Sequence, residues 1–262
     1  MNTRKNIKKS LLILLVLTIL LAFSACNIKL SEDEFELAYQ LKDSYKYTYS
    51  IVNMDQNIDG KLTFMYMTQN NGTTKLQTLA DFETWIYKAQ IVFDTKTLKP
   101  SSSYKSNIFY SGTEEDWSVD TTYTEQEAKI LAVQGEKTME KKVKTPARYL
   151  DNEMVNLTIG LIKLDLQEQV DINVLINESA IFAPYALVYQ KDEEVQIGDK
   201  TYDCIKYSAK YARFSLFGAK ESLLWYTNDS DRILVKYESG SQIMTLEKVE
   251  ELSIDSQWLF DK

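Results

Sequence analysis

Ser102-Ser103-Tyr104-Lys105 has the S-x-x-K spacing with which a lysine can activate a serine nucleophile. The rest of that machinery is missing: there is no K-T-G motif, and the alternation around the run reads as strand rather than as the start of a helix. The 262-residue chain contains no histidine, which excludes Ser-His-Asp and Cys-His catalysis and His-ligated zinc. Its two cysteines, Cys26 and Cys204, are too few for a thiolate metal site. In Tyr202-Asp203-Cys204-Ile205 the thiol reads as a small buried apolar group, with a reactive thiol as the alternative. Acids cluster at Glu114-Glu115-Asp116, at Asp192-Glu193-Glu194 and at Asp229 with Asp231, where carboxylates are expected to hydrogen-bond the backbone of turns. The alternatives are a Ca²⁺ loop, or an enzyme working with two carboxylates about 5 to 9.5 Å apart. No catalytic residue, cofactor or metal is assigned by these residues, and the expectation is a protein that is not an enzyme.

The N-terminus reads as an address. Arg4, Lys5, Lys8 and Lys9 form a basic n-region, and Leu11 to Phe23 is an uncharged apolar run of thirteen residues. A bilayer span needs about 20, so this is the h-region of a secretory signal. Phe23-Ser24-Ala25-Cys26 follows and resembles a bacterial lipobox, which implies cleavage after residue 25 and a diacylated, palmitate-type anchor on Cys26 as the new N-terminus. An ordinary signal peptide with an incidental cysteine, or an uncleaved signal anchor, is the alternative. The leader carries four positive charges and no acid, so its removal takes the formal charge from −8 to −12. Such a chain should not seek nucleic acid or anionic headgroups, and its membrane attachment must come from the lipid on Cys26. The location expected is the cell envelope, on the extracytoplasmic side. The expected layout is a signal peptide at 1–25, a lipid anchor, tether and short helix at 26–44, and one antiparallel β domain at 45–262.

Most of that domain reads with period 2. Tyr45, Tyr47, Tyr49 and Ile51 share a face, as do Leu62, Phe64 and Tyr66, and then Trp85, Tyr87, Ala89, Ile91 and Phe93. Turn signals such as Asp59-Gly60, Asn70-Asn71-Gly72 and Ser111-Gly112 separate the runs at intervals of about ten residues. Further strands are expected at Ser103–Tyr110, Trp117–Tyr123, Lys129–Gln134 and Lys137–Lys144. Lysines throughout Lys137–Arg148 suit an edge strand guarded against aggregation, with contact to a headgroup or acidic partner as the alternative. A meander closes the chain at Ser222–Thr227, Arg232–Glu238 and Gln242–Val249. There Ile233, Val235 and Tyr237 should share the buried face, and Trp225 should pack beside Leu223 on one face.

Two segments depart from this period. Ser31–Lys42 carries a capping-box pattern and an apolar stripe of Phe35, Leu37, Ala38 and Leu41, and is expected to be a short helix. Asp151–Leu166 has Met154, Leu157, Thr158 and Leu161 at helical spacing and is expected to be one buried helix. Val170–Ile176 and Ala186–Lys191 return to strand spacing, and Val195–Ile197 with Thr201–Tyr211 reads as a hairpin around Gly198-Asp199. The fold class is therefore mainly β: a large curved antiparallel meander, half-barrel or barrel-like, with one buried helix and a short N-terminal helix.

From Tyr149 to Val249 the chain resembles a family of exported bacterial proteins of unknown function. Asp151 leads the helix. Gly198, Tyr202, Cys204 and Lys206 fit "G-x-x-x-Y-x-C/V-x-K", and Leu224-Trp225-Tyr226 with Asp229 or Asp231, Arg232, Leu234-Val235-Lys236-Tyr237, Gly240 and Thr245-Leu246 fit "L-W-Y-x-x-D…R-x-L-V-K-Y-x-x-G…T-L". That family is similar in turn to LolA/LolB-like lipoprotein carriers, which implies a curved sheet around helices with a hydrophobic hollow. It implies no catalytic residue. The leading expectation is thus an envelope lipoprotein that binds a hydrophobic or lipid-like ligand in its curved sheet. The alternative is a structural or adaptor lipoprotein with a filled core, holding a protein partner. Seventeen Tyr, ten Phe and four Trp would overfill the concave side of such a sheet, so partial plugging by the two helical segments, with a residual pocket, is expected.

Overall fold

The computed structural model describes residues 35–39, 41, 44–55, 58–110, 112, 115–164, 169–211, 221–253 and 256–260. Eight strands run as one meander: β1 (Tyr45–Asn53), β2 (Ile58–Thr68), β3 (Thr73–Phe82), β4 (Trp85–Asp94), β5 (Pro100–Phe109), β6 (Trp117–Tyr123), β7 (Glu127–Gln134) and β8 (Lys137–Lys144). Seven follow: β9 (Tyr149–Asp151), β10 (Gln169–Ile176), β11 (Ile181–Ile197), β12 (Lys200–Tyr211), β13 (Ser222–Thr227), β14 (Leu234–Ser239) and β15 (Gln242–Glu251). β15 pairs with β1, so the sheet order is β8-β7-β6-β5-β4-β3-β2-β1-β15-β14-β13-β12-β11-β10-β9.

This order forces curvature. β8 and β9 lie at opposite edges of a fifteen-stranded sheet, yet only residues 145–148 separate them in sequence. Five extended links reach about 17 Å, far less than the width of fifteen strands spaced about 4.8 Å apart. The edges must curl toward each other. They are not joined by a hydrogen-bonded ladder among the described residues, so the result is a barrel with a seam. The mainly β, barrel-like class read from the sequence is the observed one. One detail differs: the chain enters the second half through a crossover, and β9 runs parallel to β10, pairing Leu150 with Val174.

The period-2 faces point where expected. Tyr47, Tyr49, Phe64, Tyr66, Ile91 and Phe93 meet inside the barrel with Leu187, Leu224, Tyr226 and Leu246 from the other half. Tyr49 and Phe64 pack edge to face with centroids 5.6 Å apart. The segment between β9 and β10 enters this interior as a plug, with Met154, Ile159 and Leu161 buried. It is far shorter than the expected helix over Asp151–Leu166. Asp151 belongs to β9, the helix α1 covers Val155–Thr158, and a single 3₁₀ turn, Ile159–Leu161, ends it. Val155, Thr158 and Ile159 are β-branched and disfavour helix, and no side chain caps α1. Gly160 has a tertiary reason: a Cβ there would lie 2.5 Å from Cδ1 of Tyr226, whose hydroxyl donates to the Asn156 carbonyl at 2.8 Å.

The expected helix over Ser31–Lys42 lies partly outside the described residues, and where it is described it is not helical. Leu37 forms an isolated antiparallel bridge with Ile162, flanked by hydrogen bonds from Ala38 N to Leu161 O at 2.9 Å and from Lys163 N to Glu36 O at 2.8 Å. The plug supplies an unpaired backbone edge, and the apolar stripe is satisfied there: Phe35 and Leu41 join the core.

Two sequence expectations about the second half are corrected. Ala186–Lys191 and Val195–Ile197 are parts of one seventeen-residue strand, β11, whose register shifts at Gln190 to absorb the irregular alternation. In β14 a similar shift opposite Trp225 and Tyr226 turns Leu234 inward and Val235 outward, so Val235 does not share a face with Ile233 and Tyr237. Val235 packs instead with Cys204, Trp225 and Leu223 on the convex side. Trp225 lies beside Leu223 as expected, with the ammonium groups of Lys206 and Lys236 at 4.5 and 5.0 Å from its ring centroid. Here both faces of the sheet are covered.

Candidate functional site

The seam brings together polar groups that are far apart in sequence. On β5 the residues facing inward include Ser103 and Lys105, and on β6 they include Thr121 and Tyr123; all four are buried. From the opposite edge come Asp151 at the end of β9, Asn152 and Glu153 after it, and Asn177 and Glu178 in the turn between β10 and β11. Lys105 Nζ donates to Asn152 Oδ1 at 2.8 Å and lies 3.0 Å from Glu153 Oε1 and 2.9 Å from Glu178 Oε1. The Tyr123 hydroxyl donates to Asp151 Oδ2. Asn177 Nδ2 lies 2.8 Å from Thr121 Oγ1, 3.0 Å from Asp151 Oδ2, 3.1 Å from the Tyr123 hydroxyl and 3.2 Å from Ser103 Oγ. Beside this network Tyr123 stacks on Tyr149, which packs edge-on against Phe182, at centroid separations of 5.9 and 5.4 Å.

Electrostatics favour a charged Lys105 and neutral phenols. Burial alone would favour neutral Lys105, but Glu153, Asp151 and Glu178 outweigh it and raise its pKa above the ordinary lysine value. Burial, then the charge of Asp151, pushes the Tyr123 phenol well up, and burial with Glu153 does the same for Tyr87 on β4. A charged ammonium whose three donors meet three acceptors has no free lone pair for nucleophilic attack, and a phenol held neutral is no base. Chemically the cluster is a clasp. It ion-pairs and hydrogen-bonds the two halves of the sheet across the line where no ladder joins them.

Beside the clasp the inner face of β6, β7 and β8 continues past its small apolar cluster and opens into a groove of about 510 Å³. Trp117, Val119, Ala132 and Met139 line it, and Lys137 and Glu178 stand at its polar margin. Glu178 is therefore shared by clasp and groove. The barrel interior offers much less room: the void among Tyr47, Tyr49, Phe64 and Leu157 measures about 10 Å³, hardly the space of one water. A residual pocket of about 150 Å³ remains between the plug, Tyr39 and Tyr207. A carrier-type hollow within the curved sheet is largely filled at the described residues, and the groove beside the clasp is roomier than either interior void.

The residues singled out by type and spacing do not converge. Cys26 lies outside the described residues. Ser102 and Lys105 stand three apart on β5 and so point to opposite faces, Ser102 exposed and Lys105 fully buried. Cys204 is buried, and burial, followed by Asp203, Asp229 and Glu193, pushes its thiol up to about 12. Asp229 Oδ1 accepts from Thr227 Oγ1 at 2.7 Å and from the backbone of Asp231 at 3.0 Å and of Arg232 at 3.2 Å, as a turn carboxylate does. Asp116 Oδ1 accepts from Phe109 N at 2.8 Å. Glu193 bonds Lys191 and the Trp225 indole, which hold its carboxyl down at about 2. β8 is an exposed, lysine-rich edge. The clasp was missed because its members are isolated polar residues. Its one sequence signal is parity: Ser103 and Lys105 occupy the inward positions of a strand whose neighbours put apolar residues there.

Comparison with known proteins gives a family and a fold. The model of a family described as "Protein of unknown function (DUF3108)" matches residues 39–247. No curated protein matches the chain. A β-barrel-like protein of domain of unknown function DUF1849 from Brucella abortus superposes with a TM-score of 0.51 at 9% identity, covering 82% of this chain and 100% of that one. A lipoprotein candidate from Parabacteroides distasonis gives a TM-score of 0.31 at 8% identity over 83% of this chain and 100% of its own, too slight a likeness to carry an inference. The Brucella structure shares the fold alone.

Proposed function

The chain belongs to the DUF3108 family of proteins of unknown function, and we propose that it is a non-enzymatic lipoprotein, anchored extracytoplasmically through Cys26, that binds a hydrophobic or lipid-like ligand in its seam groove. The observation that carries this reading is the contrast in volume. About 510 Å³ lies open along Trp117, Val119, Ala132 and Met139, against about 10 Å³ among the aromatic side chains of the barrel interior. A cleft of that size, mostly apolar and bordered by a few charged groups, is the usual form of a small-molecule site. The signal-like leader ending in Phe23-Ser24-Ala25-Cys26 supports the anchor, and the C-terminal resemblance to LolA/LolB-like carriers supports a lipid-type ligand.

The test uses Nile red, an uncharged apolar probe, with residues 27–262. Saturable binding is expected, and Ala132→Trp, which fills the groove, should abolish it. Binding unchanged in that variant would place the ligand elsewhere. The filled interior favours a second reading, an adaptor that holds a protein partner at the envelope; it forecasts no saturable probe binding at all. The anchor has its own test: Cys26→Ala should lose acyl label and release the protein from the membrane fraction.

A further inference from the structure

Arg232 occupies an unusual position. It follows the turn after β13 with φ of +48°, a left-handed backbone that a residue with a Cβ rarely adopts. Asp229 fixes it there by accepting its N–H at 3.2 Å. The side chain is then carried inward, where it is 9% exposed. Nη2 donates to the Tyr39 hydroxyl at 3.0 Å, and the guanidinium lies 4.4 Å from the centroid of the Tyr39 ring. Nε and Nη1 are buried and have no acceptor.

A guanidinium cannot shed its charge, and burying one without a carboxylate or enough acceptors is costly. Arg232 nevertheless lines the residual pocket of about 150 Å³ between the plug and the β11–β12 wall. Ile162, Leu164, Ile205 and Tyr207 give this pocket apolar walls, and Asp192 and Lys163 complete its charged groups. Lys163 pairs with Glu36 at 2.6 Å, and Asp192 accepts from the Tyr189 hydroxyl at 3.3 Å. That leaves Arg232 as the side chain of this pocket whose nitrogens lack acceptors. We propose that this pocket binds a compact oxyanion, a carboxylate or phosphate, with Arg232 as its counter-charge and Tyr39 as its cover. Carboxylate and phosphate are the groups whose oxygens match guanidinium donors best. The turn held by Asp229 carries the guanidinium inward, and a bound anion would supply the acceptors that Nε and Nη1 lack. This site is separate from the seam groove and stands or falls independently of it.

The test uses the full chain in a neutral detergent, labelled with ¹⁵N-arginine. Inorganic phosphate and acetate are titrated against sodium chloride at matched ionic strength, and octyl phosphate is the second arm. The Nε resonance of Arg232 is expected to shift saturably with phosphate or acetate and not with chloride. The anion-dependent rise in melting temperature should disappear in Arg232→Gln. Octyl phosphate binding at least tenfold tighter than phosphate would assign the head of an amphiphile, and equal binding a free anion; both support the site. An Nε resonance that ignores all the oxyanions, or answers chloride equally, overturns it, whether or not the variant folds.

Discussion

Lys105 Nζ on β5 lies 2.9 Å from the Glu178 carboxylate in the turn between β10 and β11, and this pair ties together two parts of the sheet that share no backbone ladder. Lys105 is completely buried, whereas the Glu178 side chain is 40% exposed at the margin of the groove. The contact therefore links closure of the barrel to the shape of the cleft beside it.

Removing the cation should be severe. Lys105→Ala leaves Glu153, Asn152 and Glu178 facing a void with carboxylates uncompensated, and the expected loss is about 3–5 kcal/mol of unfolding free energy. Glu178→Gln, at the exposed end of the network, should cost well under half of that. Urea unfolding of the two variants checks the ordering, and equal losses would mean that the clasp does not depend on its buried cation.

The plug depends on a glycine. A Cβ at residue 160 would meet Cδ1 of Tyr226 at 2.5 Å, and the ring is held by its hydrogen bond to Asn156. Gly160→Ala should destabilise by about 1–3 kcal/mol through overpacking, although alanine is the better helix former. A variant as stable as the parent would show that the plug can shift away from β13.

Glu193 forecasts a pH dependence. Its hydrogen bonds with Lys191 and Trp225 lower its pKa from 4.5 to about 2 in the folded chain. A carboxyl depressed on folding contributes stability that is fully present above its unfolded pKa and is lost as pH falls through the folded one. That contribution should fade between about pH 4.5 and pH 2. Urea midpoints for Glu193→Gln, measured across that range, should fall less steeply than those of the parent. Parallel curves would contradict the assignment.

How much of this was legible depended on whether residues act locally. Tyr47, Tyr49, Phe64 and Phe93 announce their faces by alternation, because strand side chains obey period 2 whatever the neighbour. Trp117–Tyr123 and Lys137–Lys144 were read to the residue, since Gly112, Gly135 and charged turns bound them. Tertiary contacts decided the failures. Phe35 and Leu37 belong to a helical stripe, but Leu37 pairs with the plug and Phe35 joins the core, and Met154 to Leu161 tighten into little more than a turn under Tyr226. Val235 leaves its expected face because a bulge opposite Trp225 absorbs one residue. The seam was the least legible part: Lys105, Asp151 and Asn177 come together only because the sheet curls far enough to lay its β9 end against β5 and β6, and no local pattern encodes that.

The place proposed for a hydrophobic ligand is the seam groove and not the barrel interior. Methionine methyl groups sit in both places: Met139 lines the groove, and Met154 is fully buried in the plug. The most direct measurement is the methyl spectrum of protein carrying ¹³C-methyl methionine during titration with an uncharged long-chain alcohol. The Met139 resonance should shift saturably while that of Met154 stays in place. A shift at Met154 with Met139 unmoved would put the ligand inside the barrel, and a spectrum unchanged at both would contradict hydrophobic ligand binding altogether.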